Sequence, residues 1–321
     1  MKEGLCPICG SADIVEYYRG VSDYMTGEKF DVSRCRACDV GFTNPQPRSM
    51  EKYYPRKYRR YNNVVQAVLG TLYRLRVSRW DRLFRTPGSA LEIGCGDGLM
   101  LDALRKKGWT VAGTERTEEM ADVARKNLGL KVHVGGAGQI PAGEAYELII
   151  LFQVLEHLND PLDTLKQCAA HLKPGGKLLV ALPNLASWQS RYAKSLWFHL
   201  DVPRHLFHFS PTSLGHAMRL AGLAVTRTSF VSFEHDPYGW VQSILNKMTG
   251  DRNRLTRLLM RVDELSVRHL FSVAAASVFA LPGLTLSWVS WLLNRGAIIQ
   301  VACEHESNDA RTASKSRSID A

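Results

Sequence analysis

The segment Leu91-Glu92-Ile93-Gly94-Cys95-Gly96-Asp97-Gly98 sets three alternating glycines between carboxylates. Glycines so spaced permit positive φ and let a ligand lie against bare backbone. Glu92 and Asp97 favour a ligand that carries cationic groups. A dinucleotide fingerprint begun at Gly94 would want glycine at position 99, where Leu99 stands. Asp97 beside a helix start would also repel the pyrophosphate that such a start otherwise attracts. S-adenosylmethionine, with a sulfonium and an ammonium, suits both carboxylates. Glu115 follows the first glycine by about twenty residues, the spacing at which a carboxylate accepts hydrogen bonds from ribose hydroxyls.

Groups able to move a proton come later. Gln153, Glu156 and His157 follow one short apolar run and Asn184 follows the next. Methyl transfer from a sulfonium is an in-line displacement, so a protein aligns donor and acceptor and adds a base if the acceptor is a hydroxyl. His157 is the first choice for that base, because an unperturbed imidazole titrates near neutrality. The competing reading is a histidine that only hydrogen-bonds a loop. His205 and His208 are second choices, each better read as a structural histidine in a Phe-rich segment.

A second constellation opens the chain. Cys6-Pro7-Ile8-Cys9 and Cys35-Arg36-Ala37-Cys38 make Cys-x2-Cys-x25-Cys-x2-Cys. Two such knuckles supply four thiolates, enough for a closed, structural Zn2+ site. The alternatives are redox-active or unliganded thiols. A module this short is expected to need the metal in order to fold.

These groups must be positioned by a larger frame. Short apolar runs at 90–93, 110–113, 131–134, 147–152, 177–182 and 224–233 alternate with helical segments at 99–107, 118–127, 160–172 and 210–222. Asp160-Pro161 and Ser210-Pro211 are helix starts, an N-cap followed by proline in the first turn. The alternation predicts an α/β fold, a doubly wound Rossmann-like parallel sheet with right-handed crossovers. Residues 296–301 read as a seventh strand returning antiparallel. The expected organisation is a zinc-ribbon-like module at 1–45, a basic linker and amphipathic helix at 46–85, the main domain at 86–303 with an apolar helical insertion at 234–295, and a disordered tail at 304–321. In the second unit Val64, Val65, Val68, Leu69, Leu72 and Leu75 recur at helical spacing, among Arg59-Arg60-Tyr61, Arg74, Arg76, Arg79 and Arg82.

On these residues the chain resembles the class I S-adenosylmethionine-dependent methyltransferases, especially those similar to ubiquinone-biosynthesis O-methyltransferases. The likeness runs from about residue 89 to 233. It includes Leu155-Glu156-His157-Leu158, Leu172-Lys173-Pro174-Gly175-Gly176, Leu182-Pro183-Asn184 and Arg204-His205-Leu206-Phe207-His208-Phe209. It implies that Glu92, Gly94, Gly96 and Gly98 hold the methionine part and Glu115 the ribose, with Ala137 and Gln139 beside the adenine; Asp97, on the loop, and Gln153, after the fourth strand, are counted with them as cofactor-binding residues. Members often carry Asp after Gly135, where this chain has Gly136, so adenine recognition rests on backbone groups or Gln139. Some quinone O-methyltransferases bind a divalent metal through Glu-x-x-Glu-His. Here Gln153 replaces the first carboxylate, an amide being a poorer ligand for a hard cation, and no catalytic metal is expected. No Asp/Asn-Pro-Pro-aromatic run follows the fourth strand, which lowers the reading of base-amine methylation.

The chain has 321 residues, 45% of them hydrophobic, and a net charge of +10, so anionic partners are favoured. The N-terminus has no apolar stretch of the secretory kind, and a cytoplasmic protein is expected. Residues 271–293 carry no charged side chain, a length that could span a bilayer. Pro282-Gly283 interrupts them. Because the last strand must return to the sheet, the expectation is a helical hairpin that dips into the membrane interface or covers the active site. Basic residues around it fit peripheral contact with anionic membrane; a lid or dimer helix is the other reading. The leading function is methyl transfer to an oxygen or carbon of a small or lipid-linked metabolite, sugar-containing ones included. The rival readings are an RNA methyltransferase using the zinc ribbon and the Arg-rich helix, and a non-catalytic S-adenosylmethionine-binding module.

Overall fold

The computed structural model describes residues 4–54 and 63–306, the side chains of 63–67, 69 and 81 excepted. Arg59-Arg60-Tyr61 and residues 307–321 lie outside the described residues, as do the side chains of Val64, Val65 and Leu69. The elements run β1 (Ile14–Ser22), β2 (Lys29–Cys35), β3 (Gly41–Asn44), α1 (Asn63–Asp81), β4 (Ser89–Ile93), α2 (Leu99–Arg105), β5 (Thr110–Glu115), α3 (Glu118–Leu128), β6 (Lys131–Val134), β7 (Tyr146–Phe152), α4 (Pro161–Ala170), β8 (Leu172–Pro183), α5 (Trp188–Ala193), β9 (Phe207–His208), α6 (Pro211–Leu220), β10 (Leu223–Ser229), α7 (Asp236–Thr249), α8 (Arg254–Leu259), α9 (Val267–Leu292) and β11 (Ile298–His305).

Seven strands form the main sheet in the order β10-β11-β8-β7-β4-β5-β6. Strands β4 to β8 pair in parallel, and β11 enters antiparallel between β8 and β10. This is the doubly wound sheet expected, with its returning last strand. Leu91, Leu148, Ile149, Ile150 and Leu178 are fully enclosed, as strands covered by helices on both faces require. The predicted caps form: Asp160 accepts from Asp163 N at 2.9 Å, and Ser210 and Ser213 make a reciprocal capping box. The chain crosses from β4 to β5 and from β7 to β8 with Gly94, Arg116, Gln153 and Asn184 all at one edge, the carboxyl ends of the parallel strands.

Several elements differ from expectation. α4 stops at Ala170, and β8 begins at Leu172, before Pro174-Gly175-Gly176. The register slips there, Leu148 pairing with Lys177, so the glycines make a bulge inside the strand instead of a separate helix stop. β10 ends at Ser229, not 233, and the chain turns off to bring Glu234 to Arg76. β11 extends to His305, so Glu304 belongs to the sheet and not to the tail.

α1 turns a different face inward than its apolar spacing implied. Val68 and Leu75 are exposed, while Arg76, Val77 and Trp80 are buried. The Arg76 guanidinium makes two bonds to Glu234, at 2.8 and 2.7 Å, bonds Gln300 and lies over the Phe152 ring. A buried bidentate pair outweighs two exposed aliphatics in setting the helix rotation. Burial opposes ionisation of Glu234, yet the Arg76 hydrogen bonds and charge bring its pKa down to about 2.

The N-terminal unit is not self-contained. Its sheet, β1-β2-β3-β9, takes its fourth strand from the main domain, with Gly41 opposite His208 and Phe42 opposite Phe207. Arg204, wholly buried, donates to Asp23 Oδ1 at 2.5 Å, to Asp201 Oδ1 at 2.7 Å and to Tyr53 O at 3.0 Å. Besides any metal, the rest of the chain therefore supports this unit.

The insertion is helical but not a hairpin broken at Pro282-Gly283. α9 runs unbroken through Pro282. Proline removes one helical N–H and normally kinks the helix. Here the helix packs along α7 and α8: Ala275, Ala276 and Phe279 lie on Val241, Leu245 and Leu255, while Gly283 sits so close to α7 that a Cβ there would lie 3.1 Å from Pro237 O. The hairpin is made by α7 and α9 instead.

Candidate active site

The turn after β4 is shaped by its glycines. Gly94 and Cys95 both donate to Thr114 O, at 2.8 and 2.9 Å, which folds the loop onto the neighbouring strand. Gly98 has φ +79°, and a Cβ there would lie 2.5 Å from Leu130 Cδ1, so helix α2 can begin only on a residue without one. A Cβ at Gly96 would meet nothing within 4 Å. The loop thus packs on one side and opens on the other, at Gly96.

Two of the predicted acids converge on this opening. Glu115 Oε2 accepts from Gly96 N at 3.0 Å and Oε1 from Arg116 N at 2.8 Å. Its carboxylate is held in place by the loop it serves. Glu92 is buried, and its Oε2 has no hydrogen-bond partner among the described residues. Burial, with Asp97 and then Glu115 nearby, pushes its carboxyl well above the usual range. Asp97 is exposed at the rim and accepts from Leu99 N at 3.3 Å. An uncompensated buried acid facing two further carboxylates is a strong attractor for a cation.

The other predicted residues divide. Gly135 donates to Glu115 O at 2.7 Å, which joins the loop after β6 to that after β5. Gln139 folds back to accept from Gly136 N at 2.8 Å, and Ala137 is buried in the core. Gln153 has φ +57°, and its Nε2 is enclosed with no hydrogen-bond partner among the described residues. A positive φ off glycine is rare and is held only where the surroundings impose it. Gly94 reaches this second loop, since a Cβ on it would lie 2.7 Å from Val154 Cγ2. Asn184 is committed elsewhere: its Nδ2 donates to Gly296 O at 2.9 Å and its Oδ1 accepts from Ala186 N at 3.0 Å.

His157 lies beyond Gln153, on a short 3-10 turn. Its Nδ1 is 2.8 Å from Arg204 O and 3.2 Å from Tyr54 Oη. A carbonyl can only accept, so Nδ1 carries a proton. His205 packs edge-on against it, ring centroids 4.6 Å apart. Glu156, His157 and His205 bring ligand atoms within 4.8 Å of one another, a grouping also compact enough for a metal ion. The spacing of Glu156-His157 alone did not show it, because His205 arrives from a distant loop. His208 is enclosed and 3.1 Å from Thr43 Oγ1; burial lowers its pKa to about 3, so it stays neutral in a structural place.

Tyr54 was missed as a site residue. It lies under Arg116, whose guanidinium is 5.0 Å from the ring centroid, and reaches His157 with its hydroxyl. It therefore touches both the strand that carries Glu115 and the proposed base. The Tyr53-Tyr54 pair was its only signal, and a linker position concealed it.

At the other end Cys6 Sγ and Cys38 Sγ are 3.6 Å apart, as are Cys9 Sγ and Cys35 Sγ, and all four lie within 4.8 Å. A groove of about 720 Å³ lies away from the glycine loop, between α1 and β10–β11, with Arg79, Arg82, Arg227 and Phe233 in its walls. The orphaned acid and the open side of the glycine loop lie elsewhere, at the carboxyl ends of β4 and β5.

A family model described as a methyltransferase domain matches residues 65–228. The ubiquinone biosynthesis O-methyltransferase of Dinoroseobacter shibae is 36% identical over 100 residues, which cover 29% of this chain and 40% of that protein. That of Stutzerimonas stutzeri is 30% identical over 170 residues, 47% of this chain and 71% of that protein. The chain thus spans about two-fifths of the length of the first such relatives. Among solved structures, an S-adenosylmethionine-dependent methyltransferase of Thermotoga maritima, described as a possible histamine N-methyltransferase, covers 75% of this chain and 90% of its own at 19% identity and a TM-score of 0.45.

Proposed function

Because the chain belongs to the methyltransferase-domain family and is an S-adenosylmethionine-dependent methyltransferase, we propose that it methylates an oxygen or carbon of a small or lipid-linked metabolite, sugar-containing acceptors included. The observation that supports this reading is His157, fixed through Nδ1 by the Arg204 carbonyl, on the loop that lies against Gly94. The names of the relatives, O-methyltransferases of ubiquinone biosynthesis, support oxygen.

The glycine loop fits the cofactor: the orphaned buried carboxylate at Glu92 suits a cationic group, the unsatisfied donor at Gln153 Nε2 suits an acceptor, and Gly96 leaves open space beside them. Glu92 and Asp97 would take its cationic groups, Gly94, Gly96 and Gly98 would border its methionine part, and Glu115 would take the ribose. Ala137, Gln139 and Gln153 would border the remainder. When bound, S-adenosylmethionine supplies an electrophilic methyl group. His157 would take the acceptor proton and Tyr54 would hold the imidazole in register.

Incubating the protein with methyl-tritiated S-adenosylmethionine and cell extract tests this. Label is expected in the lipid or small-molecule fraction. Label in RNA alone would replace this reading by the RNA one, and no label anywhere would leave only a binding module. His157→Ala should lower kcat by about 10²–10⁴-fold with cofactor affinity unchanged. An unchanged rate would remove His157 as base.

We also propose that Cys6, Cys9, Cys35 and Cys38 hold a structural Zn2+. A tetrahedral ion with bonds of about 2.3 Å sets its sulfurs about 3.8 Å apart, which the observed 3.6 Å separations match. A disulfide would need about 2.05 Å. Elemental analysis should find one zinc per chain. Cys9→Ser should lose it and lower Tm by roughly 5–10 °C. Metal-free wild-type protein of equal stability would sink the assignment.

A further inference from the structure

Helix α9 is built inside out. Its buried side carries His269, Gly283, Trp291 and three serines, Ser272, Ser287 and Ser290. Their hydroxyls fold back on the helix, Ser272 Oγ donating to Arg268 O at 3.1 Å and Ser287 Oγ to Gly283 O at 2.7 Å. Its open side carries Val267, Leu270, Val278, Leu281, Trp288 and Leu292, between 55% and 82% exposed. Three- and four-residue steps place these on one stripe along about 39 Å of helix. A helix facing water has the reverse polarity. Serines and glycine predominating inward, beside Trp291 and Phe279, with large aliphatics outward is the pattern of a helix whose outer solvent is hydrocarbon.

The ends of α9 decide how such a helix meets lipid. α8 precedes it and β11 follows it, both in the same folded body. Both ends are therefore on one side, and the helix lies along a surface instead of crossing it. Between Arg268 and Arg295 the only ionisable side chain is His269, buried against Asp263. Arg261 and Arg268 are exposed at one end, partly offset by Glu264, and Arg295 at the other. Arg79 adds a cation there: it lies over Phe233, which packs edge-on against Trp291. Pairing with a second copy is disfavoured by the same charges. Antiparallel pairing of two α9 helices would set the Arg268 end of one copy against the Arg295 end of the other, and parallel pairing would set like ends together.

We propose that α9 docks the protein on an anionic lipid bilayer, with its apolar stripe among the acyl chains and Arg261, Arg268 and Arg295 on the headgroup phosphates. This holds whatever the methyl acceptor is.

Vesicle co-sedimentation of the full chain tests it. Binding to mixed phosphatidylglycerol–phosphatidylcholine vesicles is expected at about 0.1 M salt, at least fivefold weaker at about 0.5 M salt or on pure phosphatidylcholine. Val278→Glu with Leu281→Glu should weaken it at least about tenfold, leaving thermal unfolding and S-adenosylmethionine binding as in the wild type. Arg268→Glu with Arg295→Glu should remove most of the salt dependence. Failure to bind anionic vesicles, or binding indifferent to the Val278/Leu281 pair, overturns the proposal. So does a lipid-free dimer in sedimentation velocity that this pair dissociates, which would assign the face to a second copy. Cofactor binding in the same variants distinguishes failure here from failure of the proposed activity.

Discussion

Arg204→Met is expected to destabilise the protein by about 3–5 kcal/mol, lowering Tm by roughly 10 °C. The guanidinium is completely enclosed and binds two carboxylates, Asp23 and Asp201, and the Tyr53 carbonyl, with the Tyr24 ring 4.3 Å from its centre. Methionine fills comparable volume but leaves Asp23 and Asp201 buried without their counter-charge. The cost is that of stranded charge, larger than the net worth of the pairs. Arg204→Lys should fall between, since an ammonium keeps the charge and loses the planar fork. Urea unfolding measures both. The loss should appear together in the N-terminal sheet and the main domain, because Asp23 follows β1 and Asp201 belongs to the main domain. A loss under about 1 kcal/mol would mean that the network is worth no more than a surface pair.

Glu115→Ala should weaken S-adenosylmethionine binding about 100-fold, the equivalent of one or two hydrogen bonds to a charged group. The carboxylate is fixed by Gly96 and Arg116 N–H groups before any ligand arrives, so its remaining lone pairs need no reordering. Glu115→Gln should cost about tenfold, since an amide oxygen still accepts. Equilibrium dialysis reads both, and a wild-type Kd for the alanine variant would remove the proposed cofactor site. The neighbouring acid adds a pH signature. Glu92 is held well above the ordinary carboxylate range, first by burial and then by Asp97 and Glu115. A cationic ligand favours its ionised form, so binding releases a proton and tightens as pH rises toward the pKa of the free protein. The same shift makes Glu92 destabilising as pH rises from its unfolded value through its folded one. Glu92→Gln should flatten the pH dependence of binding.

Local demands were legible. The glycines at 94, 96 and 98 announce a turn because their spacing is a backbone requirement. Asp160-Pro161 and Ser210-Pro211 announce helix starts because a cap is completed within four residues. Alternating apolar runs announced the parallel sheet, and the fifth parallel run misled only where glycines bulge a strand instead of ending a helix. Less legible were residues whose role depends on a partner far along the chain. Tyr54 looked like linker until His157 and Arg116 met it. Arg204 looked like part of a motif until Asp23 closed on it.

The residues by themselves determined the sheet, the cofactor turn and the paired cysteine knuckles, because each follows from φ, periodicity or spacing within a few positions. Tertiary structure alone decided which side of α1 and α9 faces inward, that Pro282 does not break a helix packed along α7, and that Asn184 is bound to backbone while His157 is anchored through Nδ1 to the Arg204 carbonyl. Those outcomes depend on the balance of burial and charge between segments that meet only after the chain has crossed the sheet, and no local pattern encodes that balance.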